Sequence, residues 1–174
     1  MRIKSLLFSL VALLALAPLS RADATVTISK VHLCCDKCVK GATNTVSSVD
    51  GATAVCNKAA STIVVTAPDA ATLQKVADAL VKAGFYGESS DPSIKIASDT
   101  GAKGDKVQTL KVSNVHLCCP KCVKAVHEAC AAVPGVTGDT CTKGAETFEV
   151  TGDFKDSDVM AALQKAGLTG KVGQ

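Results

Sequence analysis

The sequence predicts an α+β fold in which two tandem βαββαβ units follow a signal peptide. Three observations support this: an apolar segment near the N-terminus, a long internal repeat, and the same order of strand and helix patterns in both copies. The predicted organisation is a signal peptide over residues 1–24, unit 1 over 25–90, a flexible linker over 91–106 and unit 2 over 107–174.

The N-terminal segment has the three parts of a secretory signal. Arg2 and Lys4 precede twelve nearly all apolar residues at 6–17, and Ala22-Asp23-Ala24 offers a small-x-small cleavage site. A helix of that length would span about 18 Å, less than the hydrocarbon core of a membrane. We therefore expect export to the periplasm or the cell exterior, and a mature chain that does not span a membrane.

The repeat is read most clearly around the cysteines. The sequence VHLCCDKCVK at 31–40 recurs as VHLCCPKCVK at 115–124, which is an offset of 84 residues. The same offset relates Gly51 to Gly135, and small loop insertions account for a drift of one residue later in the chain. The mature protein is therefore predicted to be a duplication.

Each copy opens with a strand and a helix. Residues 25–30 and 107–113 alternate apolar and polar side chains, as half-buried strands do. The helices that follow the cysteines carry apolar residues at three-to-four spacing, and Gly51 and Gly135 are expected to end them. Cys130 lies on the inward stripe of its helix, where unit 1 has Val46, so it is expected in the core.

The second half of each unit is predicted from turns and helix caps. Two strands meet at turns near 57–58 and 143–144, and a second helix follows each pair. In unit 1 this helix covers about 70–83, with Asp69 as the N-cap and Gly84 as the stop. In unit 2 it covers about 157–166, and short last strands complete both units.

Cys35-x-x-Cys38 and Cys119-x-x-Cys122 stand where a strand leads into a helix. The free N–H groups and the dipole of a helix N-terminus favour the thiolate form, and a two-residue gap lets both sulfurs meet at one point. Thiolates select soft ions such as Cu(I), Zn, Hg or Cd. Neighbouring lysines add positive potential: Lys37, Lys40, Lys121 and Lys124.

Charge and motif content argue against other classes. The formal net charge is +3, and it falls to +1 when residues 1–24 are removed, with no basic run interleaved with aromatics. That pattern does not favour nucleic acid as a partner. We find no nucleophilic triad, paired carboxylates or phosphate loop, so the protein is not expected to be an enzyme.

The frame around each CxxC resembles the heavy-metal-associated (HMA) domain, the module of copper chaperones and of the periplasmic mercury-binding protein. The matching segments of unit 2 are 119–122, Pro134-Gly135-Val136 and 165–167, and unit 1 matches at 35–38, 50–52 and 82–85. The resemblance implies a ferredoxin-like fold and one soft metal ion per CxxC, with Cu(I) expected first. It also implies a metal-transporting membrane protein or another CxxC carrier as partner.

Some residues depart from the HMA pattern. His32 and His116 stand near the position where the family has Gly-Met, and an additional cysteine, Cys34 or Cys118, precedes each motif. Cys56 and Cys141 occur near the predicted end of the second strand of each unit. These six residues are candidate auxiliary ligands. The cysteines could instead form disulfides or fill the core, and the histidines could face solvent or hydrogen-bond to a ligand.

The predicted function is that of an exported carrier, scavenger or buffer of soft metal ions. The alternative is a secreted module that is stabilised by disulfides or active in thiol redox chemistry and keeps the fold without metal. Nine cysteines in an exported chain are the observation behind that alternative, because an oxidising compartment favours disulfides.

Overall fold

The computed structural model describes residues 23–173, so the predicted signal peptide lies outside the described residues apart from Asp23 and Ala24. Unit 1 contains β1 (Ala24–Ser29), α1 (Asp36–Ser47), β2 (Thr53–Asn57), β3 (Thr62–Ala67), α2 (Ala70–Lys82) and β4 (Glu88–Ser89). Unit 2 contains β5 (Lys106–Ser113), α3 (Pro120–Ala131), β6 (Val136–Asp139), β7 (Thr147–Lys155), α4 (Asp156–Lys165) and β8 (Lys171–Val172).

Each unit forms one four-stranded antiparallel sheet. The strand orders are β2-β3-β1-β4 and β6-β7-β5-β8, which is the ferredoxin-like arrangement in two copies. Alternation along the strands buries one face of each sheet, where Val26 and Ile28 meet the apolar stripes of the helices. The predicted α+β class and the two ferredoxin-like units are confirmed.

Local signals set several of the boundaries. The carboxylate of Asp69 accepts the Thr72 N–H at 2.7 Å and so caps α2, as predicted. Gly84 follows the end of α2 with a φ of +84°, which favours glycine. The predicted stop of the first helices is wrong, because the helices end four residues before Gly51 and Gly135, whereas α2 ends two residues before Gly84. The first helices end at Ser47 and Ala131, and the positive-φ glycines lie in the turns that follow.

The segment predicted as a linker contacts both units. Ile94 is buried but lies outside β4, so the last strand of unit 1 does not extend to it. Further along, Lys103 and Gly104 donate their backbone N–H groups to the carboxylate of Asp156 at 2.9 and 2.7 Å. The flexibility of this segment stays a prediction.

Candidate metal centre

Both CxxC motifs lie at helix N-termini. Cys35 and Cys119 are the N-caps of α1 and α3 and have extended backbones, with φ near −156° and −154°. Cys38 and Cys122 lie in the first turn and are fully buried. Proline is tolerated at position 120, in the first turn of α3, because an N–H group there would have no partner within the helix. Two helix N-termini therefore direct positive potential toward the sulfurs.

The two motifs come together at one place between the units, where six cysteines form what we call the six-cysteine cluster. Within the motifs, the Cys35–Cys38 and Cys119–Cys122 sulfurs are 3.6 and 3.7 Å apart. The Cys38 and Cys122 sulfurs, which belong to different units, are 3.7 Å apart. The other two members are the additional cysteines of the repeat, Cys34 and Cys118.

The additional cysteines make the remaining contacts. The Cys34 sulfur lies 3.5 Å from that of Cys119 and 3.6 Å from that of Cys122, both in unit 2. The Cys118 sulfur lies 3.4 Å from that of Cys38 and 3.7 Å from that of Cys35, both in unit 1. Each additional cysteine also touches the second CxxC cysteine of its own unit, at 3.6 and 3.7 Å.

These distances are compatible with metal ligation, and no disulfide is formed among the described residues. A disulfide would need about 2.05 Å, and all nine cysteines in the described residues are free thiols. Tetrahedral ligation with metal–sulfur bonds of about 2.3 Å separates the sulfurs by about 3.8 Å. Several groups of three residues from the cluster place their ligand atoms within 4.8 Å of one another, which is compact enough to hold a metal ion.

The contact between the units is built from backbone. Phe85 and Leu168 form an antiparallel bridge, flanked by hydrogen bonds from Thr169 N to Gly84 O (3.1 Å) and from Tyr86 N to Gly167 O (3.2 Å). These residues follow the second helix of each unit. The turn after the second helix of unit 1 therefore pairs with the turn after the second helix of unit 2.

Each histidine of the repeat crosses to the other unit. The ring of His116 packs on the ring of Phe85 with centroids 4.4 Å apart. The backbone nitrogen of His116 lies close to Gly84. The backbone N–H of His32 donates to Gly167 O at 3.2 Å. The side chains are half-buried, and the Nε2 atoms of both histidines are buried without a hydrogen-bond partner among the described residues. Burial lowers the pKa of His32.

Hydrogen bonds between neighbouring sulfurs, together with burial, lower the pKa of some thiols of the cluster and raise the pKa of others. The pKa of Cys38 falls to about 2 because the Cys122 thiol donates to its sulfur, and this outweighs burial. The same contact, together with burial, raises the pKa of Cys122. Burial also raises the pKa of Cys118, and raises that of Cys34 to about 12. The Cys38–Cys122 pair thus shares one proton, and a metal ion that binds here displaces protons.

The pKa of Cys119 falls to about 6. Burial opposes its thiolate, but the backbone N–H of Cys122 and the thiol of Cys34 donate to its sulfur and outweigh that effect. Cys119 is therefore a second point of negative charge in the cluster, next to the N-terminus of α3.

The other candidate cysteines lie elsewhere in the described residues. The Cys56 sulfur contacts the Thr43 hydroxyl at 3.6 Å and none of the six sulfurs of the cluster. Cys141 is buried in the loop just after β6, near the strand end as expected, and burial raises its pKa to about 12. Cys130 is buried in the core of unit 2, where burial raises its pKa to about 12.

The sequence placed the CxxC cysteines at helix N-termini but did not place the two motifs side by side. The roles of Gly84 and Phe85 between the units were also missed. A signal existed, because the additional cysteine and the Ala-Gly segment recur in both copies. No helix in residues 23–173 is long and apolar enough to cross a membrane.

Comparison with known proteins yields few matches. No family model matches the chain, and no curated protein matches it. The solution structure of the N-terminal soluble domains of Bacillus subtilis CopA is 16% identical, over 88% of this chain and 95% of that one, with a TM-score of 0.34. The first two RRM domains of the yeast poly(U)-binding protein Pub1 are 10% identical, over 86% and 98%, with a TM-score of 0.24. At these values neither likeness bears on function.

Proposed function

We propose that the protein is exported and binds soft metal ions through its cysteines, as a carrier, scavenger or buffer rather than as an enzyme. One observation carries the proposal: six cysteine sulfurs from two units gather at the N-termini of two helices, with contacts of 3.4–3.7 Å. Burial of cysteines as core residues would not require six of them to meet at one place.

The donor set argues for the class of ion. Thiolates prefer Cu(I), Zn, Cd and Hg to hard ions such as Mg or Ca. We propose Cu(I) as the cargo, with Zn, Cd and Hg as the ions that compete for the same sulfurs. Thiolates bound to a monovalent ion leave negative charge, which the helix N-termini and the exposed lysines of each motif, such as Lys37 and Lys121, offset.

The βαββαβ order with a CxxC between the first strand and the first helix also supports the proposal that the chain is a tandem member of the HMA family. On that basis its partner would be a metal-transporting membrane protein or another CxxC carrier. The site is exposed enough for exchange of this kind, since four of the six cysteines are only half-buried.

The test is a metal titration of the reduced chain from residue 25, with Cu(I) supplied from a competing chelator and the stoichiometry read by native mass spectrometry. We expect two ions per chain, and C119S/C122S is expected to reduce that number to one. C56S is the matched control, because Cys56 lies outside the cluster, and it should keep both ions. Unchanged capacity in C119S/C122S would reject the assignment.

Protein taken from its own compartment decides between metal binding and the redox alternative. Intact mass in buffer without reductant should show metal adducts on a chain that begins at residue 25. A metal-free chain that lacks two hydrogens for each of several disulfides would favour the redox or structural module. A chain that retains residues 1–24 in the cytoplasm would reject export.

A further inference from the structure

Adjacent cysteines in each loop face different neighbours. Cys35 is in extended backbone, and successive side chains of extended backbone point to opposite sides. Accordingly the sulfurs of Cys34 and Cys35 lie within 4.8 Å of each other but form no hydrogen-bond contact in the part of the chain that the structure describes, whereas the Cys34 sulfur reaches Cys119 in the other unit at 3.5 Å. The additional cysteine of each loop therefore contacts both CxxC cysteines of the other unit but only the second CxxC cysteine of its own.

Two closed triangles of sulfur result. We define triad A as Cys35, Cys38 and Cys118, with sulfur–sulfur distances of 3.6, 3.4 and 3.7 Å. Triad B is its repeat-related counterpart, in which the distances are 3.7, 3.5 and 3.6 Å and the members are Cys119, Cys122 and Cys34. In both triads all three pairs of sulfurs are in contact.

The triads formed within one unit do not close in this way. In unit 1 the sulfur of Cys38 contacts both Cys34 and Cys35, but those two do not contact each other in the described structure. Unit 2 behaves identically around Cys122. The cysteines of unit 2 alone, Cys118, Cys119 and Cys122, also place their sulfurs within 4.8 Å of one another. Only the crossed triads, however, have all three pairs of sulfurs at 3.4–3.7 Å, so an ion bound at equal distance from three sulfurs is better served by a triad that crosses between the units.

We propose that the two units bind metal as one composite centre with two crossed three-thiolate sites, in which the CxxC of each unit is completed by the additional cysteine of the other. This rests on the proposed function, because it specifies the ligands of the same metal centre. The Cys38–Cys122 contact of 3.7 Å joins the two triads into one cluster.

The size of the triads suits the soft ions proposed. A triangle with sides of about 3.6 Å has its centre about 2.1 Å from each sulfur, so an ion with metal–sulfur bonds of about 2.3 Å lies about 1 Å out of the sulfur plane. Cu(I), Zn and Cd all accept three thiolates. Each bound ion would also tie one unit to the other, in addition to the backbone pairing at Phe85 and Leu168.

The test compares two triple variants that differ only in which additional cysteine is removed. C35S/C38S/C118S removes triad A and leaves triad B complete. C35S/C38S/C34S leaves the three cysteines of unit 2 and breaks both triads. Both variants lose the same CxxC, and the third cysteine removed, Cys34 or Cys118, is half-buried in each case and occupies the same place in the repeat. The two variants are therefore matched for effects on folding. Far-UV circular dichroism verifies that match.

The probe is Cd²⁺, followed by its thiolate charge-transfer absorption in competition with a chelator. We expect the variant that keeps triad B to bind one ion, at least about tenfold more tightly than the variant that breaks both triads. The reciprocal pair, C119S/C122S/C34S and C119S/C122S/C118S, should show the same preference for the variant that keeps triad A.

The outcomes separate the two claims. Equal affinities, or tighter binding by the variants that keep one unit's own cysteines, would overturn the crossed arrangement while the unaltered chain still binds Cd²⁺. Failure of the unaltered chain to take up either Cd²⁺ or Cu(I) would overturn the proposed function and the crossed sites together.

Discussion

Replacing Gly84 by alanine should separate the two units. Gly84 has a φ of +84°, and a Cβ at this position would lie 2.6 Å from His116 N and 2.7 Å from Asn114 O in the other unit. Ordinary contact begins at 3.4 Å, so the two backbones would have to move apart by about 0.8 Å. Because the atoms that the Cβ would meet are backbone atoms, a side-chain rotation cannot relieve the clash.

The cost follows from that displacement. The hydrogen bonds from Thr169 N to Gly84 O and from Tyr86 N to Gly167 O measure 3.1 and 3.2 Å, and either would be broken by such a shift. Each contributes about 0.5–1.5 kcal/mol. A side chain at positive φ costs about 1–2 kcal/mol in addition. We therefore expect Gly84→Ala to lower the free energy of unfolding by about 2–5 kcal/mol.

Gly144→Ala is the matched control. Gly144 has a φ of +76°, and a Cβ there would meet no atom within 4 Å, so it should incur only the backbone cost of about 1–2 kcal/mol. Urea unfolding of the reduced, metal-free chains measures the difference. Cd²⁺ affinity should also fall in Gly84→Ala and not in Gly144→Ala. Equal losses of stability in the two variants would refute the argument that the units are held together at this point.

Three further substitutions test the rest of the structure. Cys56→Ser should keep the full metal capacity, since among the described residues its sulfur hydrogen-bonds to Thr43 and to none of the six sulfurs of the cluster, and native mass spectrometry would expose a lost ion. Cys130→Val places at this buried position the residue that unit 1 has at the equivalent position, Val46. The free energy of unfolding measured in urea should therefore change by less than about 1 kcal/mol. Asp156→Asn should cost about 1–3 kcal/mol at pH 7, because its buried carboxylate accepts three backbone N–H groups. Burial opposes the charge of Asp156, yet the hydrogen bonds outweigh burial and hold its pKa below the usual range. The carboxylate therefore stabilises the fold fully above about pH 4, and this stabilisation is lost as the pH falls through the lowered pKa of the folded state. A loss for Asp156→Asn that is the same at pH 7 and pH 2.5 would contradict this.

The interior of each unit could be predicted because the signals are local. The N-cap at Asp69 and the stop at Gly84 depend only on nearby backbone, and alternation along β1 fixes which face of the sheet is buried. The first-helix ends were placed wrongly because Gly51 was taken as the stop. The helix ends at Ser47, and the glycine serves the turn that leads into β2 instead.

The relation between the units could not be predicted in the same way. Gly84 was explained fully as a helix stop, so nothing in the sequence required its second role against the backbone of His116. Similarly, alternation indicates that Cys34 faces away from Cys35, but not what it faces. The missing information is the docking of two units, which depends on matching surfaces that are far apart in the chain.

The doubled cysteine and the duplication explain each other. In a single unit, the half-buried Cys34 contacts the sulfur of Cys38 at 3.6 Å, but its own CxxC offers it no second short sulfur contact among the described residues. A second copy in the same chain supplies such a contact at Cys119, and supplies in return Cys118 for the first CxxC. Because the two copies are covalently joined, the meeting of their loops is intramolecular and does not depend on protein concentration. A composite thiolate centre would therefore persist at the low concentrations at which separate units would dissociate, and a dilution series of the intact chain should leave its metal affinity unchanged.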